Sequence, residues 1–526
     1  MKFLLNFPGT PRTEQEYILT EVQKAFDSGK RFVIVQAPTG IGKSHVGAAL
    51  AMSTNNPPPD ERLSNWHPQQ ASRYTYEDFP VAGAFVLTTT KQLQDQYYSL
   101  FPDSSPLKGK DNYICDLDPT SDAGMAPCVY NSGQMDKCSR SCQCDYIMAY
   151  RNAILNNFSE LNYNMYFSLP PAFKRKELLI CDEASELEDQ IISYYSLDLI
   201  YKLLDYLTVP YETLRKDDTE SGYLWVCDLM RNAKSVVFPT RKNMNIAEIK
   251  RIKALKQLQE KLSLLMEHWH SSEFVVELKK GGLTISPLKA NKLARIMFAN
   301  ADKIVFMSAT IINPVIMAES LGINSNEYTF VDVDSNFDPK KSPIYISPAK
   351  FDMRYGKIDS ELPKMVKEVL ELCKIHKNDK GIIHTNSFKI TEAFREAVDG
   401  DPRFLIREEG VSNEVILNEH FTSKKPTVLI SPSLAFGTSL DDEHGRFQII
   451  TKLPYLPMTD KRIKIAAERS FEWYQMKMWI KLVQMCGRCT RSKEDHSVTY
   501  IFDSSFISAL KRYRTKLPKW FVKRLV

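Results

Sequence analysis

Short apolar runs alternate along this chain with stretches whose apolar residues recur every three or four positions. That alternation predicts strands and helices taken in turn, as in parallel α/β sheets. Arg31–Gln36 predicts a buried strand, a glycine turn follows it, and Ser44–Met52 predicts a helix of small residues. Ser53–Pro80, rich in Pro, Asn and Ser, reads as a long loop or insertion. Ala84–Thr88 and Leu178–Cys181 predict two more strands, the second ending in Asp182-Glu183. From about Leu187 to Asn300 helical periodicity dominates, most clearly over Ala247–Leu262, and predicts a mostly helical insertion. A strand returns at Ile304–Met307. From about Tyr345 onward a second α/β pattern offers strands at Gly381–His384, Thr427–Ser431, Gln448–Leu453 and Thr499–Phe502. No repeat at a solenoid period and no extended low-complexity tract breaks the pattern.

The length of 526 residues suits about three or four domains. Hydrophobic residues at 43% and charged residues at 25% give an ordinary globular balance. Sixty-nine Lys and Arg against 64 Asp and Glu leave +5, too slight to require an acidic partner. Ser504–Val526 stands apart, with seven basic residues and no acidic one. It reads either as a solvated helix end or as a phosphate-facing surface. No apolar run approaches the ~18 residues of a membrane span, and the apolar stretch at Met1–Gly9 is too short for a signal peptide. The expectation is a soluble, cytoplasmic protein without a membrane partner. In a reducing compartment clustered cysteines bind metal more readily than they pair. Five of the ten cysteines, Cys115, Cys128, Cys138, Cys142 and Cys144, fall within 30 residues. Four thiolates in an irregular loop suit a [4Fe–4S] cluster, and zinc in a closed Cys₄ site is the alternative.

The segment Ala37-Pro38-Thr39-Gly40-Ile41-Gly42-Lys43-Ser44 leaves a strand and opens a helix. Backbone N–H groups of such a loop converge on phosphates, and the helix N-terminus adds favourable partial charge. Pro38, Thr39, Gly40, Ile41 and Gly42 would cradle ATP, with Lys43 on the β- and γ-phosphates and the Ser44 hydroxyl on Mg²⁺. Such a site needs a carboxylate at the end of a neighbouring strand, and Asp182 supplies it for the metal. Glu183 is then placed to orient or deprotonate the attacking water. Arg488 and Arg491, three apart on one helix face, would stabilise the charge on a γ-phosphoryl group in flight.

Asp182-Glu183-Ala184-Ser185 stands where an Asp-Glu-Ala-His box would be expected, and the chain resembles superfamily 2 helicases of the iron–sulphur XPD/DinG-like group. The resemblance runs from Arg12 to about Asp503. Arg12 and Gln15 resemble an adenine-proximal glutamine element. Thr88–Gln96 looks like the segment that contacts the nucleic-acid backbone, and Ser308-Ala309-Thr310 like motif III, which couples hydrolysis to movement. His384–Ser387 stands at motif IV and Ser431–Leu440 at motif V. Gln484-Met485-Cys486-Gly487-Arg488-Cys489-Thr490-Arg491 is similar to motif VI and adds Gln484 to the catalytic set. Two departures stand out. Ser185 replaces the histidine that usually links the nucleotide site to motif III, and Phe436 and Ser439 replace acidic residues around Gly437.

The resemblance implies two RecA-like P-loop domains of α/β fold, with an iron–sulphur module and a helical Arch-like insertion in the first. Domain one would hold residues 1–112, 151–190 and 301–344, the cysteine module 113–150, the Arch 191–300 and domain two 345–526. The family spacing selects Cys115, Cys128, Cys138 and Cys144 as cluster ligands and leaves Cys142 as the spare. It further implies ATP-driven 5′-to-3′ translocation on single-stranded DNA, unwinding of forked or 5′-tailed duplex, and a monomer in replication, repair or recombination. The compact length would suit a phage or bacterial protein, acting in the cytoplasm of the cell or the infected host. The alternatives are a DNA-stimulated ATPase that remodels protein–DNA complexes without unwinding, and a DNA-binding module with a decayed ATP site.

Overall fold

The computed structural model describes residues 2–57, 81–126, 128, 144–210, 219–236, 246–408, 413–432, 440, 442–489 and 494–526. Most of Ser53–Pro80, Cys138, Cys142, Phe436, Gly437, Ser439 and Arg491 lie outside those residues. Two parallel sheets carry the architecture. The first orders its strands Tyr328–Asp332, Phe32–Gln36, Ala301–Ser308, Lys176–Asp182, Ala84–Thr88, Phe158–Asn162 and Ser105–Leu107. The second orders them Ile344–Phe351, Val498–Asp503, Phe447–Ile450, Gly381–His384, Val428–Ser431 and Phe404–Ile406. Every pairing in both is parallel.

The apolar runs explain why the first sheet is covered on both faces. Side chains alternate across a strand, so a continuous apolar run feeds two cores. Ile34, Phe85, Leu179 and Phe306 enter one core, while Val33, Val86, Ile180 and Val305 enter the other. The predicted strands at Ala84–Thr88 and Gly381–His384 match in extent, and the others differ by a few residues at their ends. Phe158–Asn162, Ser105–Leu107 and Tyr328–Asp332 were not anticipated. They hold exposed or polar residues such as Ser159, Glu160 and Asn162 that break an apolar run.

The insertion after Leu187 is helical only in part. Helices Thr219–Ser235 and Ile246–His268 pack Trp225, Leu229, Leu258 and Leu262 against an antiparallel sheet of Leu197–Ile200, Gly282–Pro287 and Phe274–Lys279. Helices make up most of the module, as expected, and the small sheet was not anticipated. The physical signal for the sheet was the two-residue turn Lys280-Gly281, where Gly281 takes φ +91° and joins the strands in a hairpin. The module reaches two neighbours. Lys253 pairs with Asp111 at 2.8 Å beside the cysteine segment, and Arg469 of the second α/β unit forms a bidentate pair with Glu273, both contacts at 2.6 Å.

Three of the seven basic residues of the C-terminal stretch find partners within the chain, while Lys511, Arg512, Arg514 and Lys519 are exposed. Arg524 is buried and donates to the carbonyls of Ser342 and Cys486. Lys516 pairs with Glu472, and Lys523 pairs with Asp334 of the first α/β unit.

A buried ion cluster joins the two sheets' units. Lys477, on the helix Phe471–Cys486, lies 2.8 Å from Glu188 and 3.0 Å from Asp189, on the helix Leu187–Tyr194. Trp473 Nε1 donates to both oxygens of Glu188 at 3.0 Å. Burial opposes the charge on Lys477, yet Asp189 and Glu188 hold its pKa above the usual lysine value. Removing one member of such a pair leaves the other charged in low dielectric, at a cost of about 3–5 kcal/mol. Lys477→Met is therefore expected to lower the thermal unfolding midpoint sharply. The triple variant with Glu188→Gln and Asp189→Asn should recover part of that loss in the same melting experiment.

Candidate nucleotide site

The strand ends Gln36, Asp182 and Ser308 lie side by side, since Gln36 registers with Ser308 and Met307 with Asp182. Ligands of parallel sheets bind at this carboxyl edge. The loop Ala37–Gly42 leaves it and enters the helix Lys43–Met52. Gly42 takes φ +88°, and a Cβ there would stand 2.5 Å from Gln15 Nε2, so only glycine fits. Lys43 Nζ donates to Ala37 O at 3.3 Å. Arg12 and Gln15 brace the loop from behind. Gln15 Nε2 donates to Ile41 O at 3.0 Å, its Oε1 accepts from Arg12 N, and Arg12 Nη1 donates to Gly40 O at 2.9 Å.

Asp182 is buried. Burial pushes its carboxyl up to about 6, Glu183 adds to the rise, and Lys43 and Tyr97 oppose it. Tyr97 donates to Asp182 Oδ2 at 2.9 Å and Tyr163 to its backbone carbonyl at 2.9 Å. Glu183 sits in the left-handed region at φ +49°, a costly backbone that holds its carboxylate out of the strand line. The Tyr97 hydroxyl also faces the helix that Ser44 opens, 3.0 Å from where a Cβ on Gly47 would stand, so the start of that helix and the Asp182 carboxylate border one small space. Hard oxygen donors so arranged fit Mg²⁺.

Motif III and motif VI meet at Ser185. Its hydroxyl lies 3.0 Å from Ser308 Oγ and accepts from Gln484 Nε2 at 3.2 Å. Thr310 N in turn donates to Ser308 Oγ, while Ile311 N and Ile312 N donate to Gln36 Oε1 at 2.9 Å. Gln36 and Tyr97 escaped the sequence reading. One reads as the polar end of a strand and the other as an apolar position of a helix, and neither falls in a motif of the family. Gly487 lines a cavity with Pro38 and Thr39, which brings the motif VI turn opposite the phosphate loop. Arg488 is buried, and after burial itself its charge is what holds His384 down, at about 3.

The cysteine segment is described in part. Cys115 and Cys144 are buried and Cys128 is half-buried. Burial raises the Cys115 thiol, and the nearby thiols of Cys128 and Cys144 add to the rise. Three of the four assigned cysteines thus feel one another. Among the described residues no group of three His, Cys, Asp or Glu is drawn tightly enough to hold a metal ion. No described helix is long and apolar enough to cross a membrane.

Comparison with known proteins agrees with this geometry. Residues 369–524 match the family described as Helicase C-terminal domain, and residues 9–207 match Type III restriction enzyme, res subunit. A probable ATP-dependent helicase of Methanocaldococcus jannaschii is 21% identical, over 94% of this chain and 92% of its own length. A solved XPD helicase shares the fold with a TM-score of 0.63 at 16% identity, covering 97% of this chain and 98% of its own. The S. tokodaii Xpd4 structure gives 0.57 at 15% identity, covering 98% and 99%.

The Ser185 bridge makes a specific demand. Ser185→Ala deletes both contacts without disturbing the phosphate loop, and a hydrogen bond of this kind is worth about 1 kcal/mol net. Nucleotide affinity should stay unchanged while turnover drops several-fold, as read from steady-state ATPase kinetics beside an equilibrium ADP titration.

Proposed function

Taking the chain as an XPD-like superfamily 2 helicase, an ATP-hydrolysing enzyme that binds nucleic acid, we propose that it travels 5′ to 3′ on single-stranded DNA and unwinds forked or 5′-tailed duplex in replication, repair or recombination. The observation that carries this reading is the meeting of Ser185, Ser308 and Gln484, which ties the hydrolytic carboxylates to the second α/β unit. A hydrolytic event at Glu183 then has a short polar route to the element that must move.

In this reading ATP lays its β- and γ-phosphates over Ala37–Lys43, with Lys43 facing them. The Ser44 hydroxyl and Asp182 carboxylate would hold Mg²⁺, which would supply positive charge beside the phosphates. Glu183 takes a proton from water as its oxygen bonds the γ-phosphorus and the bond to the β–γ bridging oxygen breaks. Arg488 and Arg491 steady the equatorial oxygens, and Arg12 and Gln15 keep the loop in shape.

The cysteine module is read as holding a [4Fe–4S] cluster through Cys115, Cys128, Cys138 and Cys144, with Cys142 as the spare. The closeness of Cys128 and Cys144 to Cys115, which both thiols act on, supports this set. The contacts Lys253–Asp111 and Arg469–Glu273 support an Arch that reaches from the cysteine segment to domain two, so that a strand could pass beneath it. A monomer in the cytoplasm completes the reading.

Lys43→Ala and Glu183→Gln should each abolish DNA-stimulated ATP hydrolysis, with Glu183→Gln still binding ATP. In a strand-displacement assay a 5′ single-stranded tail should support unwinding and a 3′ tail alone should not. Robust ATPase with no displacement from either tail would favour remodelling over unwinding, and efficient 3′-tail unwinding would overturn the polarity. Anaerobically purified protein should be brown with about four irons per chain. Cys115→Ser or Cys144→Ser should bleach it, and a colourless protein with stoichiometric zinc would overturn the cluster.

A further inference from the structure

One buried hydroxyl at the ATP site takes no direct part in hydrolysis. Tyr97 is almost fully buried and donates to Asp182 Oδ2 at 2.9 Å. Its ring also sits against the helix of the phosphate loop, where a Cβ on Gly47 would lie 3.0 Å from the Tyr97 hydroxyl. One side chain therefore bonds the carboxylate that would hold the metal and lies against the helix whose first turn carries Ser44.

The element that carries it is just as telling. Tyr97 lies on the helix Lys91–Leu100, which is capped by Thr90 and continues the segment Thr88–Gln96. Gln94, buried on the same helix, donates to the carbonyls of Leu107 and Glu160. On its outer side Lys91 donates to Asn112 Oδ1 at 2.8 Å, and Asp95 pairs with Lys108. The helix is thus pinned at one end to the approach of the cysteine segment and at the other to the metal carboxylate. A shift of this helix by a fraction of an ångström must move the Tyr97 hydroxyl, and with it Asp182.

We propose that Tyr97 is a positioning residue that holds Asp182 in its metal-binding orientation, and that nucleic acid engaging Thr88–Gln96 reaches the ATP site through this one hydroxyl. The inference rests on reading Ser44 and Asp182 as the Mg²⁺ pair and Thr88–Gln96 as a nucleic-acid contact.

The test uses the full chain with Tyr97→Phe, which keeps the ring, and Tyr97→Leu, which does not. Affinity for a fluorescent ADP analogue is measured with and without Mg²⁺, alongside ATPase with and without single-stranded DNA, melting temperature and DNA affinity. In Tyr97→Phe the gain in ADP affinity conferred by Mg²⁺ should shrink about tenfold, the scale of one lost hydrogen bond to a charged group. Metal-free ADP affinity, DNA affinity and melting temperature should hold, while DNA stimulation falls toward onefold. Wild-type metal dependence or wild-type stimulation in Tyr97→Phe overturns the proposal. So does a defect confined to Tyr97→Leu, which would make the ring a packing element only. A wild-type chain without DNA-stimulated hydrolysis overturns this inference together with the functional reading, whereas a normal wild type beside a silent Tyr97→Phe overturns this inference alone.

Discussion

The buried contact of Lys477 with Glu188 and Asp189 is the constraint on which the site's assembly depends. Ser185 lies in the short turn Ala184–Glu186 that leads into the helix carrying Glu188, and Gln484 follows Lys477 by two turns on one face of its helix. Once Trp473 and Lys477 lock onto Glu188, the helix Phe471–Cys486 has little freedom to rotate or slide. Gln484 is then delivered to Ser185 and Gly487 to the phosphate loop. A buried ion pair is a poor source of net stability, since desolvation cancels much of its attraction. Its directional demand is high, however, because a displaced lysine would leave two carboxylates unpaired. The cluster acts as a register pin between the two units.

The cores of the two sheets were legible in the chain because burial on both faces needs little more than apolar runs of the right length. Val33 and Ile34, or Leu179 and Ile180, could be assigned to a buried strand without knowing their neighbours. The phosphate loop was legible for a different reason. Its backbone geometry permits only glycine at Gly42, so the constraint is written in the residue itself. The strand Phe158–Asn162 was not legible, since Glu160 is buried there with its carboxyl raised to about 7, chiefly by burial. A charged residue in a central strand defeats any reading by pattern. The hairpin at Gly281 was lost within a helical stretch for the opposite reason, as a brief local signal outweighed by its surroundings.

Residues that act across the fold were the hardest to find. Tyr97 lies 85 positions before Asp182, and Gln36 reaches Ile311 and Ile312 from 275 and 276 positions away. Nothing in the local sequence distinguishes Tyr97 from Tyr98 beside it, yet one is buried at the carboxylate and the other is about half exposed. Helix phase decides between them, and phase is set by the strand that positions the helix. The basic C-terminal stretch teaches the same lesson. Its charge count left a solvated helix end and a phosphate-facing surface open, and nothing in it marked Arg524 and Lys523 as the residues that bond Ser342, Cys486 and Asp334 within the chain.

The departure at Ser185 is best understood through what a hydroxyl can do that a longer side chain need not. A serine oxygen accepts and its proton donates, so one atom can take the Gln484 amide proton while giving its own to Ser308. Ser308 also accepts from Thr310 N, which completes a line of polar contacts from motif VI to the turn after the strand Ala301–Ser308. With Ser185 as donor, Ser308 Oγ accepts from both sides, and the line stays intact only while the two units hold their present spacing. Because a hydroxyl is short, that spacing must be tighter than a ring would require, and the Lys477 cluster is what keeps it so. The Ser185 link carries no charge and does not titrate near neutral pH. Coupling at this position therefore depends on distance between the units rather than on protonation.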